Sequence, residues 1–194
     1  MAFDLNNFWT SETGEHLGVA EKTFDTLRGD FGEVVEICAK SLSSGGKLLF
    51  FGNGGSAADA QHLATEFAVR YVKNRKPMAA LALTTDSSAL TAIGNDLGFD
   101  QLFARQIEAI GNPGDVAIGI STSGKSPNVM NALLAAQNKK LSTACFTGAN
   151  GAAMAKICDA ALKVPSKTTA RIQEMHITLG QMLCGALEKK LGLV

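Results

Sequence analysis

Asp59, His62 and Glu66 are spaced three and four residues apart, which returns all three to one face if the segment is helical. A histidine and a glutamate at i, i+4 form a metal-ligand pair. A solvated helix face with a chance histidine has the same spacing. Immediately upstream, FFGNGGSAADAQ carries Asn53, Gly54 and Gly55 into Ser56, which is placed to cap the helix that follows. Glycines let backbone approach a ligand closely, and free amides at a helix start attract an anion, so a phosphate or sugar oxygen fits there; a tight turn without a ligand is the alternative. The dinucleotide pattern G-x-G-x-x-G is not met, because Ala57 occupies the third glycine's place.

A second loop, GISTSGKSPN, clusters Ser121, Thr122, Ser123 and Ser126 before Pro127, a residue suited to the first helical position. Gly119 to Ser126 also satisfies G-x-x-x-x-G-K-[ST], the nucleotide-binding P-loop. A P-loop, however, begins at a strand end, whereas Gly119 lies inside the apolar run. Hydroxyls plus helix amides suit a phosphate monoester; a polar loop with no ligand competes with that reading. In the last apolar segment, ARIQEMHITLGQMLCGALEKK, the polar residues Gln173, His176 and Gln181 need partners or a site to face. At 100° per residue Gln181 lies about 80° around from Gln173, and His176 about 60° the other way, so His176 is poorly placed to replace a group at 181.

These residues need elements to hold them. Short apolar runs at 47–52, 79–83, 115–120, 142–148 and 159–165 read as strands. Helical patterns follow at Ser56 to about Tyr71, Ser87 to about Ile110 with a break at Gly94 to Gly98, Pro127 to about Lys139, near Ala152 to Ile157, and Thr169 to about Lys190. The first ~45 residues read as two helices broken near Gly29 and Asp30. Uninterrupted apolar strands alternating with helices predict a parallel sheet covered on both faces, with ligands at the carboxyl ends of its strands. One domain spanning 1–194 is expected, with 1–44 as an N-terminal helical extension.

The chain has 194 residues, with 18 Lys plus Arg against 18 Asp plus Glu. Zero net charge argues against binding nucleic acid or an anionic membrane through bulk charge. Apolar residues make up 46% and charged residues 19%, below the usual ~25%, and this surplus of apolar surface points to a subunit interface. No run is long enough to span a membrane and the N-terminus has no signal-peptide pattern, so a cytoplasmic protein is expected. The four cysteines, Cys38, Cys145, Cys158 and Cys184, form no C-x-x-C pair and read as reduced, buried thiols.

Taken together, NGGSAADAQH, Glu66 four residues after His62, TAIGND, ISTSGKS and ARIQEMH resemble the phosphoheptose isomerase family, SIS-domain proteins that convert sedoheptulose 7-phosphate to D-glycero-D-manno-heptose 7-phosphate. The resemblance runs from about Gly45 to Leu187. It implies a flavodoxin-like αβα sandwich with a five-stranded parallel sheet, and a homotetramer whose N- and C-terminal helices form a subunit-interface bundle. It also implies a role in ADP-heptose and lipopolysaccharide core synthesis. By the same resemblance, His62, Glu66 and Gln173 hold zinc, one ion per subunit. Asn53, Gly54, Gly55, Asn95 and Asp96 contact the sugar, Ser121, Thr122, Ser123 and Ser126 hold the phosphate, and Glu66 moves the proton between C1 and C2. The chain departs from the family at Gln181, where the family has a histidine that is both fourth metal ligand and second acid-base group. A glutamine offers an oxygen to a metal but shuttles no proton near pH 7. The departure leaves a second possibility, a non-catalytic SIS-domain protein that binds sugar phosphate or associates with a replication initiator.

Overall fold

The computed structural model describes residues 3–194. Five parallel strands, β1 (Leu48–Gly52), β2 (Ala80–Ala82), β3 (Val116–Ser121), β4 (Ser142–Gly148) and β5 (Ala160–Val164), form one sheet in the order β2-β1-β3-β4-β5. This is the doubly wound, flavodoxin-like order, whose topological switch point lies between β1 and β3. Parallel strands need both faces covered, and the side chains of β1 divide accordingly: Leu48 and Phe50 enter one core, Leu49 and Phe51 the other.

The first core is closed by α2 (Arg28–Ser43), α3 (Gly55–Ala68) and α8 (Thr169–Lys190), the second by α5 (Ala104–Ile110), α6 (Pro127–Asn138) and α7 (Ala152–Lys156). Two helices stand farther out. Helix α4 (Ser87–Asp96), capped by Asp86, contains no buried residue, and α1 (Leu5–Thr26), capped by Asp4, buries only Thr23. Phe8, Trp9, Leu17 and Phe24 of α1 are left 45–67% exposed, too much apolar surface for that helix to be held by this chain's own core. Among the described residues no helix is long and apolar enough to cross a membrane. All four cysteines are free; three are buried, and burial pushes the Cys38 thiol up to about 12, leaving it inert.

The expected strands match the observed ones within a residue or two, but two details differ. The break between the first helices falls at Leu27, not near Gly29 and Asp30. Leu27 turns its side chain into the core, kinking the chain there, while Gly29 continues inside α2 at a cost of about 1 kcal/mol. Ser56 does not cap α3. The N-cap is Gly54, whose φ of 55° and ψ of −121° no β-carbon tolerates well, and Ser56 sits inside the first turn.

Helices α3 and α8 run parallel and touch without a spacer. A β-carbon on Gly180 would stand 2.5 Å from Leu63 Cδ2, so glycine is what permits this approach. Gly180→Val should therefore overpack the seam by about 2–3 kcal/mol and lower the melting temperature by roughly 4–10 °C in a calorimetric scan.

Candidate functional site

The carboxyl ends of β1 and β3 diverge at the switch point, because the helices that follow them, α3 and α6, lie on opposite faces of the sheet. A cavity of about 120 Å³ opens there, lined by Asn53, Ser56, Ile120, Ser121, Thr122, Ser123, Ser126 and Gln173. Its volume is roughly four water volumes, the scale of a phosphate group. Ser121 Oγ and Ser126 Oγ are 3.0 Å apart, the Lys125 amide donates to Ser123 Oγ at 3.2 Å, and in the first turn of α6, where Pro127 has no N–H and the Val129 amide donates to the Ser126 carbonyl, the Asn128 amide is left open. These are neutral donors converging on one point, as anion capture without a lysine requires. Gly119 pairs with Phe51 and Cys145 in the middle of β3, so the loop is not a P-loop, whose first glycine must leave the strand.

Two lining features escaped the sequence reading. Asn53 is fixed by a reciprocal amide pair with the buried Asn128, each Nδ2 donating to the other's Oδ1 at 2.9 Å. Ser56, taken for a cap, is a wall of the cavity. The serine's position after a glycine pair was the available signal; for Asn128 there was none, since its partner lies 75 residues away.

Along α3, away from this cavity, His62 Nε2 lies 3.2 Å from a Glu66 carboxylate oxygen. From α8, the Gln181 amide reaches within 3.4 Å of the same imidazole nitrogen. Gln173 lies over the α carbon of Gly55, where a β-carbon would collide with its amide. Asp59, one turn before His62, has a buried Oδ2 with no partner; burial raises its carboxyl to about 6, with the His62 charge pulling the other way. Beside Gln181 a larger, mostly apolar cavity of about 730 Å³ is lined by Tyr71, Val72, Met182 and Glu188 among others.

Residues 15–148 match the SIS domain family model. The chain is 54% identical over 181 residues to the phosphoheptose isomerase of Paramagnetospirillum magneticum, covering 93% of this chain and 94% of that one. It is 50% identical over 183 residues to that of Campylobacter jejuni, covering 94% and 98%. The solved phosphoheptose isomerase of Neisseria gonorrhoeae superposes with a TM-score of 0.90 at 41% identity over 96% of this chain and all of that one. That of Francisella tularensis gives 0.92 at 32% identity over 96% and all. The chain belongs to the phosphoheptose isomerase family.

The phosphoheptose isomerase fold here brings together ten of the expected positions: Asn53, Gly55, Ser121, Thr122, Ser123, Ser126 and Gln173 around or beside the small cavity, and His62 with Glu66 and Gln181 farther along the α3–α8 seam. Gly54 shapes the entry to α3. Asn95 and Asp96 are not brought to the cavity; they end the exposed helix α4, where Asn95 Nδ2 donates to the Asp96 carboxylate at 2.7 Å. Among the described residues no three His, Cys, Asp or Glu side chains converge. At the α3–α8 seam one imidazole, one carboxylate and the Gln181 amide stand together instead, with the Gln173 amide farther back along the seam over Gly55. A half-turn of the Gln181 amide presents its oxygen where its nitrogen now lies, so the set suits a divalent cation that accepts nitrogen and oxygen ligands.

Of the polar residues in α8, Gln173 and Gln181 face the site and His176 does not. His176 is fully buried against Phe146, with Nε2–H donating to the Thr147 carbonyl at 3.2 Å and Nδ1 unpartnered. Burial lowers its pKa from 6.5 to about 4, against the smaller opposing effect of the Thr147 bond. The unfolded chain binds this proton at 6.5 and the folded chain only near 4. Stability is thus full above about 6.5 and falls as pH drops, by up to about 1.4 kcal/mol per unit. Asp59 acts oppositely over nearly the same range, so the diagnostic is a difference between proteins: His176→Gln, which keeps a donor for Thr147, should lose less melting temperature than the wild type between pH 6.5 and 4.5.

Proposed function

We propose that this chain isomerises sedoheptulose 7-phosphate to D-glycero-D-manno-heptose 7-phosphate, the cytoplasmic entry step to ADP-heptose and the lipopolysaccharide core. The observation that carries this reading is the placement of two chemistries along one helix. Ser56, at the phosphate-sized cavity, and His62 are six residues apart in α3, a rise of about 9 Å. An open seven-carbon chain spans roughly 8 Å with C–C bonds of about 1.5 Å, so a phosphate at one end leaves the carbonyl end beside His62 and Glu66.

In this reading the hydroxyls of Ser121, Thr122, Ser123 and Ser126, with the Asn128 amide of α6, take the phosphate, and Asn53 and Ser56 hold the chain that leaves it. Asn95 and Asp96 are assigned to the sugar by family resemblance alone. The Glu66 carboxylate removes the proton from the carbon next to the carbonyl and returns it to the neighbouring carbon, the step a general base performs in aldose–ketose exchange. His62, Glu66, Gln173 and Gln181 would hold one zinc ion per subunit, which supplies polarisation of the carbonyl and hydroxyl oxygens. Gln181 stands where the family has a histidine. Its amide accepts a hydrogen bond but takes up no proton near neutrality, so transfer between the two oxygens is left to solvent and turnover is slow.

With zinc present, sedoheptulose 7-phosphate should give aldose product above a no-enzyme control. Gln181→His should raise turnover by about 10²–10⁴-fold, the usual value of a positioned acid-base group, and Glu66→Gln should return it to background. Sugar phosphate that raises the melting temperature but yields no product with either the wild type or Gln181→His would overturn catalysis and leave a binding protein.

The exposed apolar face of α1, with Met182 and the large cavity beside Gln181, supports assembly into a homotetramer. Light scattering after gel filtration should give about four times 20.3 kDa, and Trp9→Glu, which puts a charge on that face, should shift the mass towards smaller species.

A further inference from the structure

A buried ion pair lies beyond the far end of the site, where none of the substrate-holding or proton-transferring groups reach. Arg75 leaves the loop after α3 and its side chain is 0% exposed; its partner Glu188, on the last turn of α8, is 3% exposed. Arg75 Nε donates to Glu188 Oε1 at 2.8 Å. Nη2 of the same guanidinium donates to the Glu66 carbonyl and Nη1 to the Phe67 carbonyl, each at 2.8 Å. These carbonyls end α3 and have no helical partner of their own, so one planar fork caps α3 and ties it to α8. The residue whose backbone it grips is Glu66.

A buried ion pair returns little net stability relative to apolar residues of the same volume; what it adds is direction. We propose that Arg75 and Glu188 are positioning residues, which fix the rotation and height of the last turn of α3 against α8 and thereby hold Glu66 and His62 opposite Gln181. The inference rests on the isomerase reading of that site. The contacts along the seam are ordered accordingly: Gly55 meets Gln173, Leu63 meets Gly180, His62 meets Gln181, and the Arg75 fork closes the end. The phosphate cavity is at the opposite end of α3, so losing the fork should disturb proton transfer and spare substrate capture.

The test replaces the pair by apolar residues, Arg75→Met with Glu188→Leu, in the full-length protein. Expected are a melting temperature close to wild type, kcat lower by about 10–100-fold, as small misplacements of reacting groups give, and KM within about twofold. Glu188→Gln, which keeps an oxygen for Arg75 Nε, should retain kcat within a few-fold. A second readout needs no turnover. The chain has three histidines, so the nuclear Overhauser contact between the His62 ring and the Gln181 amide is readily assigned; it should be present in the wild type and lost in the double variant. If the double variant does not fold, Arg75→Lys, which keeps the charge but not the fork, should show the same losses. Unchanged kcat and an intact His62–Gln181 contact in a folded variant would overturn the inference. Should the wild type turn over no sugar phosphate, the isomerase reading fails, and the magnetic contact alone decides for or against the fork.

Discussion

The site depends on one packing constraint, the parallel contact of α3 with α8. Neither helix holds a complete set of groups: α3 supplies Ser56, His62 and Glu66, and α8 supplies Gln173 and Gln181. Their side chains meet only because the axes approach closely, and small residues at two of the contacts, Gly55 and Gly180, remove the side chains that would push them apart. Because the two helices run in the same direction, successive turns stay opposite each other, and partners recur in order from the phosphate end to Glu188. The sheet sets where each helix starts, β1 feeding α3 and β5 preceding α8, while the seam sets how far apart their polar groups lie.

The same topology makes the two halves of the site chemically different. The switch point between β1 and β3 is a place where side chains are short and carry hydroxyls, so it offers several weak, neutral hydrogen-bonding groups of the kind the proposed phosphate site uses. The seam farther along α3 carries the ionisable groups. This division explains why a chain with no net charge needs no basic patch to bind a phosphate ester.

What could be read in the sequence followed from periodicity. Buried parallel strands such as LLFFG and VAIGIS contain only small or apolar residues until their last position, so their existence and order with the helices were visible. The spacing of Asp59, His62 and Glu66 likewise placed them on one face. What could not be read were preferences decided by tertiary contact. Gly29 looks like a breaker, yet the chain bends at Leu27 because that side chain has a core to enter. Ser56 looks like a cap, yet the conformation of Gly54 assigns the cap elsewhere. Asn128 carries no local signature because its only purpose in the fold is to face Asn53 across the crevice. The family resemblance named the donors at 173 and 181, but that they face Gly55 and His62 across a seam closed by Arg75 is a property of three-dimensional packing.

The substitution at 181 can be judged against that packing. Glutamine is close to histidine in reach, and its amide lies within 3.4 Å of His62, so the contact between α3 and α8 is kept at this position. Its side chain is also only partly buried, which leaves water access to the group that lacks a proton to give. The amide keeps a contact with His62 and offers an oxygen donor, and unlike an imidazole it has no capacity to titrate near neutrality. His176 offers no compensation, since reaching the side of α8 that Gln181 occupies would require it to leave the Thr147 carbonyl and rotate α8 through about 140°, which would carry Gln173 off Gly55. The nearest carboxyl that changes charge near neutrality is Asp59, on the same face of α3 as His62 and raised by burial rather than by a partner.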